Sequence, residues 1–338
     1  MAYNDRLAIL RGMKAAEKLH RDLGSRKVMG PSVRVDVFSA IARTGAILMF
    51  KPLDPLLGAF MREGDLMGVM LTVRRPIGQQ RFTAAHELGH LIMGHEPHAD
   101  DENILRRAPM EGSYAQVPVQ EREADAFASN FLLPKFLLAK LHNQQEWERR
   151  DYENPHTLYQ ASLRLGASYS ATIQAFERDR VLTAEQRRAL VKVRPRDLKA
   201  DLVNGHNVQN WQDRDVWRLT EHDEGNVIEA NRNDLFVLKL KEHGGSGYLW
   251  AYHELEKAGF VVLKDETEAM YPDRIGGPRR RYILGEAPDL QDGSYTLREV
   301  RPWRGDEGVN QVTVHYRRAH GREDGQYIPQ IERLAAAG

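Results

Sequence analysis

A pair of histidines four residues apart constrains this chain more than any other feature of its sequence. His86 and His90 lie in the segment RFTAAHELGH, whose apolar positions predict a helix over residues 79–93. Residues four positions apart lie on one face of a helix, so both imidazoles can bind a single metal ion. Glu87 follows the first histidine and can take a proton from an attacking water. The pattern therefore predicts a zinc centre with His86 and His90 as ligands and Glu87 as the catalytic base.

A catalytic zinc needs a third protein ligand as well as an open position. The chain contains no cysteine, so only His, Asp or Glu can supply that ligand. A second predicted helix, from about residue 118 to 133, carries three acidic residues. On a helical wheel, Glu121 and Asp125 lie at the inner edge of the apolar stripe, and Glu123 points farther out. We expect Glu121 to bind the metal and Asp125 to hold a ligand imidazole in its tautomer. The alternative is a surface helix whose first-turn acids favour the helix dipole.

These two helices together resemble a known family. The segments RFTAAHELGHLIMGH and EREADAFASNFLLP, with LLGAF and GVMLTV upstream, are similar to the ImmA/IrrE metallopeptidases over roughly residues 5–180. The resemblance implies a zincin-like α+β domain with zinc bound by His86, His90 and Glu121, and with Glu87 as its catalytic glutamate. It also implies a protein substrate, such as a helix-turn-helix repressor in a stress, mobile-element or defence response.

Further residues near the motif have expected roles in binding and chemistry. His95 is expected to support the metal ligands or the fold, and His95 and Tyr114 are both candidates for stabilising an oxyanion. Strand-like runs at residues 57–61 and 69–73 can pair with an extended substrate.

The middle of the chain is predicted to be helical. Two helices over residues 159–165 and 170–178, joined by GAS, resemble the helix-turn-helix-like element of the same family. DNA binding needs basic side chains on the second helix, but Arg178 and Arg180 are offset by neighbouring acids. The formal net charge of +0 also disfavours DNA binding. We therefore expect a packing or protein-docking element.

The last third of the chain changes character. Six short strand-like runs separated by Gly and Pro turns predict an immunoglobulin-like β-sandwich. They lie at residues 235–241, 248–253, 261–264, 281–284, 295–300 and 311–316. With the runs HGGSGYLW, RIGGP and RPW, residues 230–318 resemble the chagasin-type cysteine peptidase inhibitors. Because HGGS replaces that family's Asn-Pro-Thr-Thr loop, we favour a module that binds a protein partner. Its candidate binding residues are Gly245, Tyr248, Trp250, Gly276, Gly277, Arg301, Pro302 and Trp303.

A chain of 338 residues is long enough for two or three domains. We expect a zinc metallopeptidase domain at 1–145, a helical domain at 146–212 and a β-sandwich at 213–338. The sequence has no apolar run near the ~20 residues that span a bilayer and no signal-peptide pattern. We therefore expect a cytoplasmic enzyme without membrane contact.

Two other functional classes compete with this interpretation. One is a non-catalytic binding or protease-inhibitor protein that acts through the C-terminal sandwich. The other is a DNA-binding regulator, which the neutral charge disfavours. The complete set of His86, Glu87, His90 and Glu121 favours the enzyme.

Overall fold

The computed structural model describes residues 3–54, 56–96, 99–100, 117–270, 279–304, 308–319 and 323–327. Within them the chain has a mixed α+β architecture with helices and three small sheets, as the sequence predicts at this level. No helix in these ranges is long and apolar enough to cross a membrane.

The N-terminal part combines helices with a sheet. Its elements are α1 (Tyr3–Asp22), α2 (Ser25–Val28), α3 (Val37–Arg43), β1 (Ile47–Lys51), β2 (Gly58–Glu63), β3 (Leu66–Thr72), α4 (Ile77–Met93) and β4 (Ala99–Asp100). A strand from the far end of the chain, β13 (Gly325–Gln326), joins this sheet in the order β13-β1-β3-β2-β4. Tyr327 follows β13 and lies against the rings of Phe38 and Phe50, which anchors this segment to the N-terminal core. The sequence did not predict this pairing.

The helix α5 (Val119–Leu132) packs against both α1 and α4. The α1 crossing is very close, because a Cβ atom on Gly12 would lie 2.2 Å from the carbonyl oxygen of Glu123. The apolar side of α5, with Phe127 and Phe131, enters the main core. Helix α5 is therefore enclosed on two sides, and this decides how its acidic residues are placed.

Helices continue through the middle of the chain. They are α6 (Lys135–Gln145), α7 (Pro155–Leu165), α8 (Tyr169–Arg178), α9 (Ala184–Leu190) and α10 (Pro195–Leu202). Asn154 accepts a hydrogen bond from the backbone of His156 and so caps α7. Ser168 caps α8 in the same way, through the backbone N–H of Ala171. The predicted pair of helices with a tight turn is present.

The C-terminal part contains two four-stranded sheets. Its elements are β5 (Val216–Leu219), β6 (Val227–Ala230), β7 (Leu235–Glu242), β8 (Leu249–Ala251), α11 (His253–Lys257), β9 (Val261–Ala269), β10 (Arg279–Glu286), β11 (Gly293–Val300) and β12 (Gly308–Arg318). The orders are β5-β7-β10-β9 and β6-β12-β11-β8. Side chains of both sheets share one core, where the rings of Phe236 and Tyr316 lie 6.2 Å apart.

The C-terminal sheets differ from the sequence prediction in two places. The expected strand over residues 248–253 is shorter, and a helical turn begins at His253. β5 and β6 were not predicted. Each has only four residues, and runs that short carry too little periodicity to identify a strand.

One buried ion pair and one partly exposed ion pair join the three parts of the chain. Arg164 of α7 and Asp223 have N and O atoms 2.7 Å apart, with side chains 3% and 0% exposed. Gln145 of α6 also donates a hydrogen bond to this carboxylate oxygen, at 2.8 Å. Arg34, which precedes α3, pairs with Glu229 of β6 at 3.0 Å. Charged groups desolvated in this way must remain paired, so these contacts restrict the relative placement of the parts.

Candidate metal centre

Three potential ligands converge between α4 and α5. Nε2 of His86 lies 2.8 Å from Nε2 of His90. The Glu121 carboxylate oxygens lie 3.3 Å from the first of these nitrogens and 3.6 Å from the second. One atom from each residue lies within 4.8 Å of the other two, and all three residues are buried. Two imidazoles and one carboxylate form a donor set typical of catalytic zinc, so these residues fit a metal ion.

The nitrogen of each histidine that faces away from this cluster also has a partner. Nδ1 of His86 lies 3.0 Å from a carboxylate oxygen of Asp125. Nδ1 of His90 lies 2.9 Å from Nδ1 of His95. The ring of Phe60 stacks on His90, with centroids 5.5 Å apart. These neighbours orient both imidazoles so that their Nε2 atoms face each other.

Glu123 is buried, which corrects the expectation that it points farther out. Its side chain is 8% exposed, and one carboxylate oxygen lies 3.0 Å from Nε2 of His95. The other accepts a hydrogen bond from Arg11 of α1, at 3.2 Å. The helical wheel considered only the apolar stripe, whereas α1 covers the other side of α5 and encloses this carboxylate.

His95 therefore lies behind the candidate ligands, with its ring held between His90 and Glu123. This position agrees with a supporting role and does not suit stabilisation of an oxyanion, because both ring nitrogens are occupied. The other candidate for that role, Tyr114, lies outside the described residues.

Glu87 is completely buried beside the histidines, and β2 passes directly over it. A Cβ atom on Gly58 would lie 2.8 Å from Oε1 of Glu87 and 2.6 Å from Cγ2 of Thr83. Only glycine allows the strand to approach so closely, which brings backbone hydrogen-bonding groups next to the predicted base. Gly58 was not singled out from the sequence, because its importance depends on the approach of β2 to α4.

Two C-terminal loops meet at one end of the sheets. The guanidinium of Arg301 lies 4.3 Å from the ring centroid of Tyr248. Arg301 also donates a hydrogen bond to the carbonyl of Ser246, at 3.1 Å. The ring of Trp303 lies against Gly247 but is 69% exposed. The loops thus present a preformed surface that includes a large exposed aromatic side chain.

The other candidate binding residues differ in position. Gly245 and Pro302 are exposed near this surface. Trp250 is buried, and its indole donates a hydrogen bond to a backbone carbonyl of β7. Because the ring is enclosed in the core, it does not belong to the surface expected for it. Gly276 and Gly277 lie outside the described residues.

A comparison with protein families bears on the residues around the metal centre. Residues 43–178 match the family model Peptidase_M78, described as the IrrE N-terminal-like domain. The predicted resemblance to this peptidase family is confirmed over that segment. The IrrE-like segment, residues 43–178, contains α4 and α5 and therefore every candidate ligand. Helix α1, which supplies Arg11, precedes it.

Comparisons with other proteins add little. No curated protein sequence matches the chain. The cysteine protease inhibitor EhICP2 from Entamoeba histolytica is 22% identical, with 31% of this chain and 97% of that chain covered and a TM-score of 0.26. PbICP-C in complex with falcipain-2 is 15% identical, with coverages of 34% and 95% and a TM-score of 0.19. A Mycobacterium tuberculosis transcriptional regulator is 13% identical, with coverages of 84% and 80% and a TM-score of 0.33. Scores this low support no conclusion about fold or function.

Proposed function

We propose that the chain is a zinc-dependent endopeptidase in which His86, His90 and Glu121 bind the metal and Glu87 is the catalytic base. The observation that carries this proposal is the convergence of three buried ligand atoms, one of them from His86, whose neighbour in the chain is the buried Glu87. The match of residues 43–178 to a peptidase family supports it.

Each side chain of the site has a separate role in peptide hydrolysis. Zinc held by His86, His90 and Glu121 would supply the Lewis acidity that activates water near neutral pH and polarises a carbonyl. A carboxylate oxygen of Glu87 takes the proton from the attacking water and then delivers it to the leaving amine. Asp125 holds His86 so that Nε2 keeps its lone pair for the metal. Burial of these groups strengthens each electrostatic contact.

The edge of β2 is suited to an extended protein substrate. Among the described residues, β2 has a second strand partner, beyond β3, only at Gly58 and Ala59, which pair with β4. Beyond Ala59 no described strand pairs with this edge of β2, and we propose that an extended substrate adds there by β-augmentation. The β4-paired end of β2, at Gly58, is the end that lies against Glu87. The expected substrate is a regulatory protein, such as a helix-turn-helix repressor in a stress, mobile-element or defence response.

We also propose that the C-terminal part is an immunoglobulin-like sandwich that binds a protein partner. The preformed surface of Arg301, Tyr248 and Trp303 supports this role, since rigid aromatic side chains and arginine dominate binding energy in protein interfaces. The proposed domains are residues 1–145, 146–212 and 213–338. The cytoplasmic location remains a prediction from the sequence.

The test compares host proteomes that contain the parent chain or Glu87→Gln. The change preserves the shape of the side chain but removes the proton acceptor, so we expect a regulatory protein to be cleaved only by the parent. Zinc content distinguishes the rival binding protein: the enzyme holds one zinc per chain in both forms. Loss of the same host protein with Glu87→Gln, or purified chains without zinc affinity, would contradict the proposal.

A further inference from the structure

Glu123, His95 and His90 form a continuous line of contacts that leads to the candidate metal centre. A carboxylate oxygen of Glu123 lies 3.0 Å from Nε2 of His95, and Nδ1 of His95 lies 2.9 Å from Nδ1 of His90. The side chains of His95 and Glu123 are 9% and 8% exposed. Arg11 contacts the far oxygen of Glu123. The three candidate ligands, His86, His90 and Glu121, come together without any of these contacts.

The arrangement of protons along this line is determined by its geometry. Nε2 of His90 faces His86 and Glu121, so a metal-binding His90 must carry its hydrogen on Nδ1. Only one hydrogen fits between the two Nδ1 atoms, so Nδ1 of His95 accepts it. The hydrogen of neutral His95 then lies on Nε2, where it is donated to Glu123. The Glu123 carboxylate can only accept a hydrogen bond, so Nε2 of His95 must be the donor. Nδ1 of His95 then has no hydrogen and accepts the one on Nδ1 of His90.

We propose that Glu123 and His95 are positioning residues that fix the tautomer and ring orientation of His90 for metal binding. The inference rests on the proposed function, since His90 must be a ligand. The two histidines are then held differently: a carboxylate, Asp125, contacts His86 directly, whereas a carboxylate reaches His90 through a second imidazole.

The difference follows from the way α5 is enclosed. Asp125 is on the side of α5 that faces α4, and its carboxylate contacts the ligand without an intermediary. Glu123 lies under α1, where Arg11 offsets its charge, and the imidazole of His95 spans the remaining distance to His90. His95 follows the end of α4 and is fixed there by a backbone hydrogen bond from its N–H to the carbonyl of His90, at 3.0 Å.

Two substitutions at one position separate positioning from simple packing. His95→Phe fills the same space but cannot accept the Nδ1 hydrogen of His90. His95→Gln retains an acceptor oxygen and a donor NH₂, which can replace both contacts of the imidazole. We expect His95→Phe to weaken zinc binding by about 10–100-fold. His95→Gln is expected to restore most of this loss. Asp125→Ala is the matched control, since it removes the partner of His86.

The direct measurement is the Nδ1–H signal of each ligand imidazole in ¹⁵N-histidine-labelled, zinc-loaded protein. We expect the His90 signal to be protected from solvent exchange in the parent and in His95→Gln, and to be lost in His95→Phe. The His86 signal should persist in all three and disappear in Asp125→Ala. A role limited to packing would not remove one signal selectively.

The inference is overturned if folded His95→Phe binds zinc within about twofold of the parent and keeps a protected His90 signal. It is also overturned if His95→Gln binds zinc as weakly as His95→Phe. Failure of the proposed function gives a different result, because the parent chain itself would then bind no zinc, or Glu87→Gln would still cleave, whatever residue stands at position 95.

Discussion

Nε2 of His86 faces Nε2 of His90 at 2.8 Å, and both imidazoles are completely buried. The Nδ1 atoms of the two rings face Asp125 and His95, so both Nε2 lone pairs can point at one cation, and the adjacent carboxylate of Glu121 favours such an ion. We expect His86→Ala to abolish tight zinc binding, because two protein ligands remain. Glu87→Gln should bind zinc like the parent and lose cleavage. Zinc titration and peptide cleavage measure these effects, and normal cleavage by Glu87→Gln would exclude Glu87 as the base.

The two buried glutamates of α5 should differ in their effect on zinc affinity. Glu121→Ala removes a direct ligand, whereas Glu123→Ala acts through His95 and is expected to cost about 10–100-fold. We therefore predict a clearly larger loss for Glu121→Ala in competition with a chelator. Circular dichroism of both variants serves as the control for folding. An equal loss, or a larger one at Glu123, would reverse the assignment of the third ligand.

The buried pair of Arg164 and Asp223 should be important for stability. Arg164→Ala leaves a carboxylate that is 0% exposed without its cation, and breaking such a pair costs about 3–5 kcal/mol. The matched control is Arg150→Ala, since Arg150 pairs with Glu148 at the surface with 78% and 65% of the side chains exposed. That change should cost less than about 1 kcal/mol. Thermal unfolding that responds equally to both would show that the buried pair contributes little.

His20 should make the stability of the chain depend on pH. Nε2 of its ring donates a hydrogen bond to the carbonyl of Phe131, and Nδ1 accepts one from the hydroxyl of Ser25. Burial lowers the pKa of His20 from 6.5 to about 4. The unfolded chain therefore binds a proton at a higher pH than the folded chain. His20 therefore costs no stability above pH 6.5, and the free energy of unfolding falls by roughly 3 kcal/mol as the pH drops from 6.5 toward 4.

The neutral variant His20→Gln tests this dependence. We expect it to lose part of the acid destabilisation between pH 6.5 and 4, because the group that titrates only in the unfolded chain is absent. Unfolding midpoints of the parent and the variant are compared across this range in zinc-free buffer, which removes the effect of metal binding. Parallel curves for the two proteins would show that His20 is not responsible.

Replacing the exposed tryptophan of the C-terminal part should affect partner binding, whereas replacing the buried one should affect stability. Trp303 is 69% exposed, so Trp303→Ala should change stability by less than about 0.5 kcal/mol. It should weaken binding of the host protein that the parent chain cleaves and Glu87→Gln does not. Zinc content and cleavage of an unstructured peptide should stay normal. Trp250→Ala, the matched core variant, should cost about 3–5 kcal/mol. A large stability loss for Trp303→Ala with normal engagement would contradict a role in recognition.

The sequence by itself determined the elements whose pattern is local. The spacing of His86 and His90, with apolar residues around them, required a helix for both to reach one ion, and α4 runs from Ile77 to Met93. The strand-like runs of β7, β10 and β12 and the tight turn between two helices at Gly166 were recognisable for the same reason. Helical periodicity also placed Glu121 on the side of α5 that faces the histidines. Each of these features depends on residues that are close to one another in the sequence.

Only the tertiary structure decided the surroundings of those elements. A helical wheel of α5 contains no information about α1, so it could not reveal that Glu123 is enclosed with Arg11 and His95. The close approach of Gly58 to Glu87 and the pairing of β13 with β1 likewise join segments distant in sequence. A buried charge is tolerated only where partners from other elements compensate its desolvation. Those partners are identified by the packing of whole helices and strands, which no local pattern encodes.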